Sequence, residues 1–338
     1  MRYLYTVGCG SLTPLRRADY ADRKLSVFLS SIRPQTLRFF ETISDVRVGP
    51  ETCLALNNHC QSLKTIKISL KSEALPHLAF MKGCTAVEVL QLTDTDKTVE
   101  LEKTERDVFL KVVAWLRECR NLRELGFTNF LSAAAIVTPL LLEERIQLQR
   151  LQVDYYVVKD SRDFHVALAH QPSLRSLFLK GDGYDGITRD DLDIMMESLG
   201  RLTELRELEF RGVSDLFDEA RITYLAEHLK NLEDLYVGGT EVTDAVWEEL
   251  ASLKNLRSLT FVALSKFTTD GFLEFISKLG PGNRGMVLTI DNAHQNDYLS
   301  EEEQNLVREA LFAQVGGRFE YTLWRGKSRA TVEYKSIC

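Results

Sequence analysis

Leu205-Arg-Glu-Leu208-Glu-Phe210, Leu232-Glu-Asp-Leu235-Tyr-Val237 and Leu256-Arg-Ser-Leu259-Thr-Phe261 are three copies of one phrase, apolar at its first, fourth and sixth positions. Outward from these, the phrase returns as Leu63-x-x-Ile66-x-Ile68, Val87-x-x-Leu90-x-Leu92, Leu122-x-x-Leu125-x-Phe127 and Leu174-x-x-Leu177-x-Leu179. Weaker copies start at Met1, Leu37, Leu148, Gly285 and Arg318. The fourth and sixth positions share one side of an extended chain, so each phrase reads as a short strand with one buried side. Starts lie between 24 residues apart (Leu63 to Val87) and 36 apart (Met1 to Leu37), which leaves room for a strand, a turn and usually a helix.

One such unit cannot bury its own apolar side, so neighbours must stack into a continuous core. The expected fold class is therefore α/β, a right-handed leucine-rich-repeat solenoid. A helix with its side chains is about 10–12 Å wide, whereas strands sit about 4.8 Å apart, so the stack should bend into a horseshoe with parallel strands on the concave face and helices on the convex face. At 338 residues the chain is longer than a single globular core usually allows. A solenoid grows along one axis, and a single domain of about 12 units spanning residues 1–338 is expected.

Helix signals fall where the repeat needs them. Thr188-Arg-Asp-Asp191 precedes Leu192, Met195, Met196 and Leu199, one apolar stripe behind a capping residue. Ile222, Leu225, Ala226 and Leu229 repeat that stripe. Thr243-Asp and Thr269-Asp are read as caps of the helices that follow them, and Ser300-Glu-Glu-Glu303 as a capping box ahead of Leu306, Val307, Ala310 and Leu311.

The balance of 42 basic against 49 acidic residues gives a net charge of −7, which argues against a general phosphate-backbone binder; no nucleic-acid partner is expected. No run approaches the roughly 18 apolar residues of a membrane span, and the N-terminus lacks a basic segment followed by an apolar one. No membrane partner is expected, and the cytoplasm or nucleus is the expected location.

Cys60, Cys84 and Cys119 each stand three residues ahead of a repeat's first apolar position, where later repeats place Leu202, Leu229 and Leu253. That equivalence points to reduced, buried thiols filling an apolar slot. Cys53, His59 and Cys60 lie close in sequence, but no second pair completes a four-ligand metal set, so no metal or cofactor is expected.

The phrases Gly83-Cys84-Thr-Ala-Val87-x-x-Leu90-x-Leu92 and Glu118-Cys119-Arg-Asn-Leu122-x-x-Leu125 resemble the cysteine-containing, ribonuclease-inhibitor-like repeats of F-box/LRR proteins. The stretch from Phe40-Glu-Thr-Ile43 through Gly49-Pro-Glu-Thr52 to Ala55-Leu-Asn-Asn58 is similar to LRR proteins of filamentous fungi. The resemblance spans nearly the whole chain and implies a protein-binding scaffold, with no chemistry of its own, that serves a ubiquitin-ligase receptor as its substrate-recognising part. Residues 1–36 offer a repeat strand, a loop and a helix-like segment from Asp22 to Ile32, but no F-box. Met1 already occupies a repeat position without a polar cap ahead of it, so the chain reads as truncated at its N-terminus. Skp1 and cullin are therefore expected only through an upstream F-box.

Strand alternation also assigns the outward side chains. In the middle repeats they are Arg150, Gln152 and Asp154; Ser176, Phe178 and Lys180; Glu207, Glu209 and Arg211; and Asp234, Tyr236 and Gly238. Phe178 and Tyr236 are exposed aromatics among charges, the composition of a binding hot spot. The candidate partner-binding residues are Phe178, Lys180, Glu207, Glu209, Arg211, Asp234 and Tyr236; solvated strand residues with cross-strand pairing are the competing reading. Tyr3, Tyr5 and Phe39 form a further outward group near the N-terminal edge.

Gly181-Asp-Gly183-Tyr-Asp-Gly186 matches G-x-G-x-x-G after a strand and before a helix. Asp182 and Asp185 would repel a pyrophosphate, and the spacing fails that of a calcium loop, so it is read as a turn. None of the six histidines belongs to H-E-x-x-H or a G-x-S-x-G partner set, and no catalytic residue is assigned. The alternative to a ligase receptor is an enzyme regulator, either a ribonuclease-inhibitor-like blocker or a GTPase activator of the Ran type.

Overall fold

The computed structural model describes residues 14–42, 48–70, 72–96, 99–155, 161–181, 188–213, 217–293 and 298–323. The copy at Met1 with Tyr3 and Tyr5, the turn at 182–186 and the tail beyond residue 323 lie outside them. The chain packs as two compact units, residues 1–204 and 205–338.

The first unit holds β1 (Phe39–Glu41), β2 (Thr65–Leu70), β3 (Val89–Asp94), β4 (Glu124–Thr128), β5 (Arg150–Asp154) and β6 (Ser176–Lys180). Each is parallel to the next in chain order, and the buried positions stay level: Phe40, Ile66, Leu90, Leu125, Leu151 and Leu177 occupy one row. The helices are α1 (Pro14–Ser31), α2 (Pro50–Leu56), α3 (Leu101–Thr104), α4 (Arg106–Glu118), α5 (Ala133–Leu141), α6 (Arg162–Leu168) and α7 (Arg189–Leu199). Between β2 and β3, whose phrases start only 24 residues apart, a 3₁₀ segment with Pro76 inside it, Ser72–Met81, takes the helix's place. A proline removes one backbone donor and favours this tighter, irregular turn.

The second unit repeats the scheme with β7 (Glu207–Arg211), β8 (Asp234–Thr243), β9 (Ser258–Lys266), β10 (Val287–Ala293) and β11 (Arg318–Leu323). Its helices are α8 (Glu219–His228), α9 (Trp247–Leu250), α10 (Thr269–Ser277) and α11 (Glu301–Val315). Leu208, Leu235, Leu259, Leu288 and Phe319 form its level row. In both units parallel strands joined through helical turns build a leucine-rich-repeat solenoid. The last copy is displaced from its expected register. Phe319, not Tyr321, stands beside Leu288, so the final phrase starts at Gly316, where a left-handed φ of 68° ends α11.

The core of the second unit is aromatic where its helices are short. Trp247, on the one-turn α9, packs within 4.5–5.9 Å ring-centre distance of Phe261, Phe267, Phe272 and Phe275. Large rings fill the space a longer helix fills elsewhere, and the indole N–H satisfies itself on Asp244 at 3.0 Å.

The slot assigned to cysteine is buried at Cys84 and Cys119 and half-buried at Cys60. Three buried polar side chains, which the leucine pattern leaves unseen, bind the coils together near the same place. Gln171 occupies the cysteine slot of its own repeat; its amide donates to the carbonyls of Leu141 and Ile146, and its oxygen accepts from Leu148 N–H at 2.8 Å. Asn283 donates to Leu253 and Leu256 carbonyls and accepts from Gly280 N–H. His59 accepts from Leu37 N–H at Nδ1 and reaches the Leu29 carbonyl through Nε2. Each closes backbone groups that burial would otherwise leave unpaired.

Caps follow the expected grammar with one shift. Thr188 with Asp191 and Ser300 with Glu303 form reciprocal capping boxes. The cap of α10 is Thr268, one residue before the expected Thr269, and its hydroxyl accepts from Gly271 N–H at 3.1 Å. Thr269 instead donates to Glu303.

Candidate protein-binding surface

Side chains at alternate strand positions either enter the core or stand on the strand face. In β9 the pattern is strict: Leu259, Phe261, Ala263 and Ser265 are buried, and Ser258, Thr260, Val262 and Leu264 are half-buried on the face. The same parity places all seven candidate residues on the strand face, though in two separate units.

In the first unit, Phe178 lies beside Gln152 and Lys180 beside Asp154 across the β5–β6 pair. Lys180 Nζ is 3.2 Å from Asp154 Oδ2, so the exposed lysine covers a nearly buried carboxylate. Phe178 is half-buried. Behind it in the same row, Gly126 separates Gln91 from Gln152, and a methyl group at Gly126 would come within 3.3 Å of Gln91 Cγ. The glutamine stems therefore lean over the glycine, and the stretch of this row from Gln91 to Phe178 is uncharged.

The second unit is built differently. Glu209 pairs in register with Tyr236, and Glu207 with Asp234. Arg211, two residues beyond Glu209 on β7, turns back along the strand: its Nε and Nη2 donate to Glu209 Oε2 at 3.0 and 2.8 Å. Its guanidinium carbon lies 4.7 Å from the centre of the Tyr236 ring, a cation–π stack. Tyr236 is thus not the bare aromatic that strand alternation implies; it is half-buried and roofed by an arginine. The cause is a diagonal cross-strand contact, which alternation along one strand does not reveal.

Electrostatics follow from this crowding. Burial raises the Asp234 carboxyl above its ordinary range; the Ser258 hydroxyl and Arg211 pull it back, while Glu209 and Glu207 push it further up. Burial also raises the Tyr236 phenol, with Asp291 and Glu209 adding to the rise and Arg211 opposing it. The face is an acid-rich surface around one aromatic ring.

Among the described residues no three His, Cys, Asp or Glu side chains gather as metal ligands. His59, which adjoins Cys60 in sequence, spends both ring nitrogens on backbone groups, so its lone pair is engaged. Burial pushes the Cys53, Cys84 and Cys119 thiols up to about 12, far from the thiolate a nucleophile requires. No helix among the described residues is long and apolar enough to cross a membrane.

No family model matches the chain, and no curated protein sequence matches it. Among solved structures, the chain is similar to an internalin of Listeria monocytogenes, at 13% identity and a TM-score of 0.35, over 82% of this chain and 95% of that one. It is also similar to the leucine-rich-repeat-containing protein LegL7 of Legionella pneumophila, at 16% identity and a TM-score of 0.43, over 85% of this chain and 94% of that one.

Proposed function

We propose that the protein is a protein-interaction scaffold whose strand face holds a macromolecular partner. The observation that carries this reading is Tyr236: a large ring on the outward side of a strand, stacked against Arg211 and set among Glu207, Glu209 and Asp234. A core has no use for it there, and a ring held rigid among charges is the form that anchor residues take at protein interfaces. Phe178 and Lys180 would serve the same role on the first unit.

More narrowly, the resemblance of the cysteine-bearing repeats to those of F-box/LRR proteins supports a role as the substrate-recognising repeat region of a ubiquitin-ligase receptor. The chain would contribute no covalent step; it would hold a substrate on a rigid support. Skp1 and cullin would be engaged through an F-box rather than through residues 1–338.

Capture of partners from the native cell by the wild type and by a Phe178→Ala, Tyr236→Ala double variant tests the scaffold reading. Loss or strong weakening of a captured protein is expected. Equal recovery by both baits, with both folded, overturns it. Recovery of Skp1 by residues 1–338 alone, independent of the strand face, would overturn the narrower reading.

A further inference from the structure

The second unit ends on β11, the last strand of its sheet among the described residues, so no described strand lies along its far edge. Arg318 N–H donates to the carbonyl of Met286, just ahead of β10. In a regular parallel ladder the next residue, Phe319, therefore turns its N–H and carbonyl to the far edge. Such an edge invites pairing unless something covers it.

The helix above it is uncovered on the same side. Glu303 and Gln314 mark the side of α11 that faces α10, since Glu303 accepts from the Thr269 hydroxyl at 3.1 Å and Gln314 donates to the Leu279 carbonyl at 2.9 Å. At 3.6 residues per turn Phe312 stands on the opposite side of the helix, and it is 70% exposed. A bare ring and a strand edge thus meet at a kind of end that solenoids close with a polar cap.

The chain carries its own candidate for that cap. Residues 324–338, which lie outside the described residues, follow directly from Leu323 at this end and are long enough to return along the six residues of β11. In Ala330-Thr-Val-Glu-Tyr-Lys335, Val332 and Tyr334 fall on one side of an extended chain, and Thr331, Glu333 and Lys335 on the other. Charge matches as well: this segment has Arg325, Lys327, Arg329 and Lys335 against Glu333, whereas α11 has Glu301, Glu302, Glu303 and Glu309 against Arg308.

We infer that residues 324–338 close the end of the second unit. The chain turns at Trp324-Arg-Gly-Lys327 and runs back antiparallel to β11, with Val332 beside Phe319 and Glu333 beside the exposed Arg318, and it brings Tyr334 over Phe312. Four residues with a glycine among them suit a hairpin loop, and this register sets opposite charges side by side on the strand face. The inference concerns the end of the stack and is independent of what the strand face binds.

Amide hydrogen exchange of the whole chain, resolved by NMR, tests it. At an open edge the Phe319 amide exchanges at least about tenfold faster than that of Glu320, whose N–H faces β10, whereas a covered edge protects both alike. Equal protection is expected in the wild type, and its loss at Phe319 but not at Glu320 in a Val332→Asp, Tyr334→Asp double variant. Three results overturn the inference. The first is a Phe319 amide already unprotected in the wild type, and the second is protection that survives the double variant. The third is protection that falls on dilution together with a dimer-to-monomer change in sedimentation, which assigns the edge to a second copy. Should the double variant also expose Glu320, the wild-type comparison and the dilution series remain decisive.

Discussion

The Asp244 carboxylate binds the cap of the next coil: it accepts from Thr268 N–H at 3.1 Å and from the Thr268 hydroxyl at 2.5 Å. The same hydroxyl then accepts from Gly271 N–H and starts α10. One coil earlier, Glu219 holds the N–H and hydroxyl of Thr243 in the same manner. An acid at the head of one helix thus orients the threonine at the head of the next.

Thr268→Ala should lower stability by about 1 kcal/mol, the usual worth of an N-cap. Gly271→Ala should cost more, because a methyl group there would sit 2.2 Å from the Asp244 carboxyl, which is tied on its other side to Trp247. Urea unfolding of both variants measures the difference. A Gly271→Ala protein as stable as the wild type would show that the ladder yields without loss.

Gln171→Leu should destabilise by about 2–4 kcal/mol, although leucine fills the equivalent slot at 202, 229 and 253. The substitution leaves the carbonyls of Leu141 and Ile146 and the N–H of Leu148 buried without partners. Hydrogen exchange at Leu148 should accelerate in step with the lost stability.

Burial depresses the imidazole of His165, on α6, to about 4, with Asp191 pulling weakly the other way. Unfolded, it titrates near 6.5. Between those values the unfolded chain binds a proton that the folded chain refuses, so this contribution to stability is complete above about pH 6.5 and is lost as pH falls toward 4. From pH 7 to pH 4.5 the wild type should lose about 2 kcal/mol more than His165→Gln, read from urea midpoints across that range.

Cys60 should react first with iodoacetamide at pH 8 among the four described thiols. Cys53, Cys84 and Cys119, buried and pushed to about 12, should wait for unfolding. Peptide mapping by mass spectrometry after timed quenching gives the order, and early labelling of Cys84 or Cys119 would contradict it.

The strands were legible because leucine rhythm and strand geometry carry the same information; every phrase on described residues formed a strand. Parity was legible for the same reason, which is why all seven candidate residues stand on the strand face. The structural roles of Gln171, Asn283 and His59 were not legible, because a polar letter in or beside an apolar slot does not show the backbone groups it closes. Thr268 and Thr269 are indistinguishable as letters, and only the backbone turn decides which one caps. The roof of Arg211 over Tyr236 depends on the offset between neighbouring strands, and no single phrase encodes that offset.

The acid-to-threonine contact spans 24 residues both from Glu219 to Thr243 and from Asp244 to Thr268. Excision of residues 243–267 would leave Glu219 the same 24 positions ahead of Thr268, with the partner chemistry intact, whereas a cut one residue longer or shorter would not. The contact thus fixes a length: a duplication or excision that keeps 24 residues between acid and threonine would keep the stitching between coils, and one that changes this spacing would not.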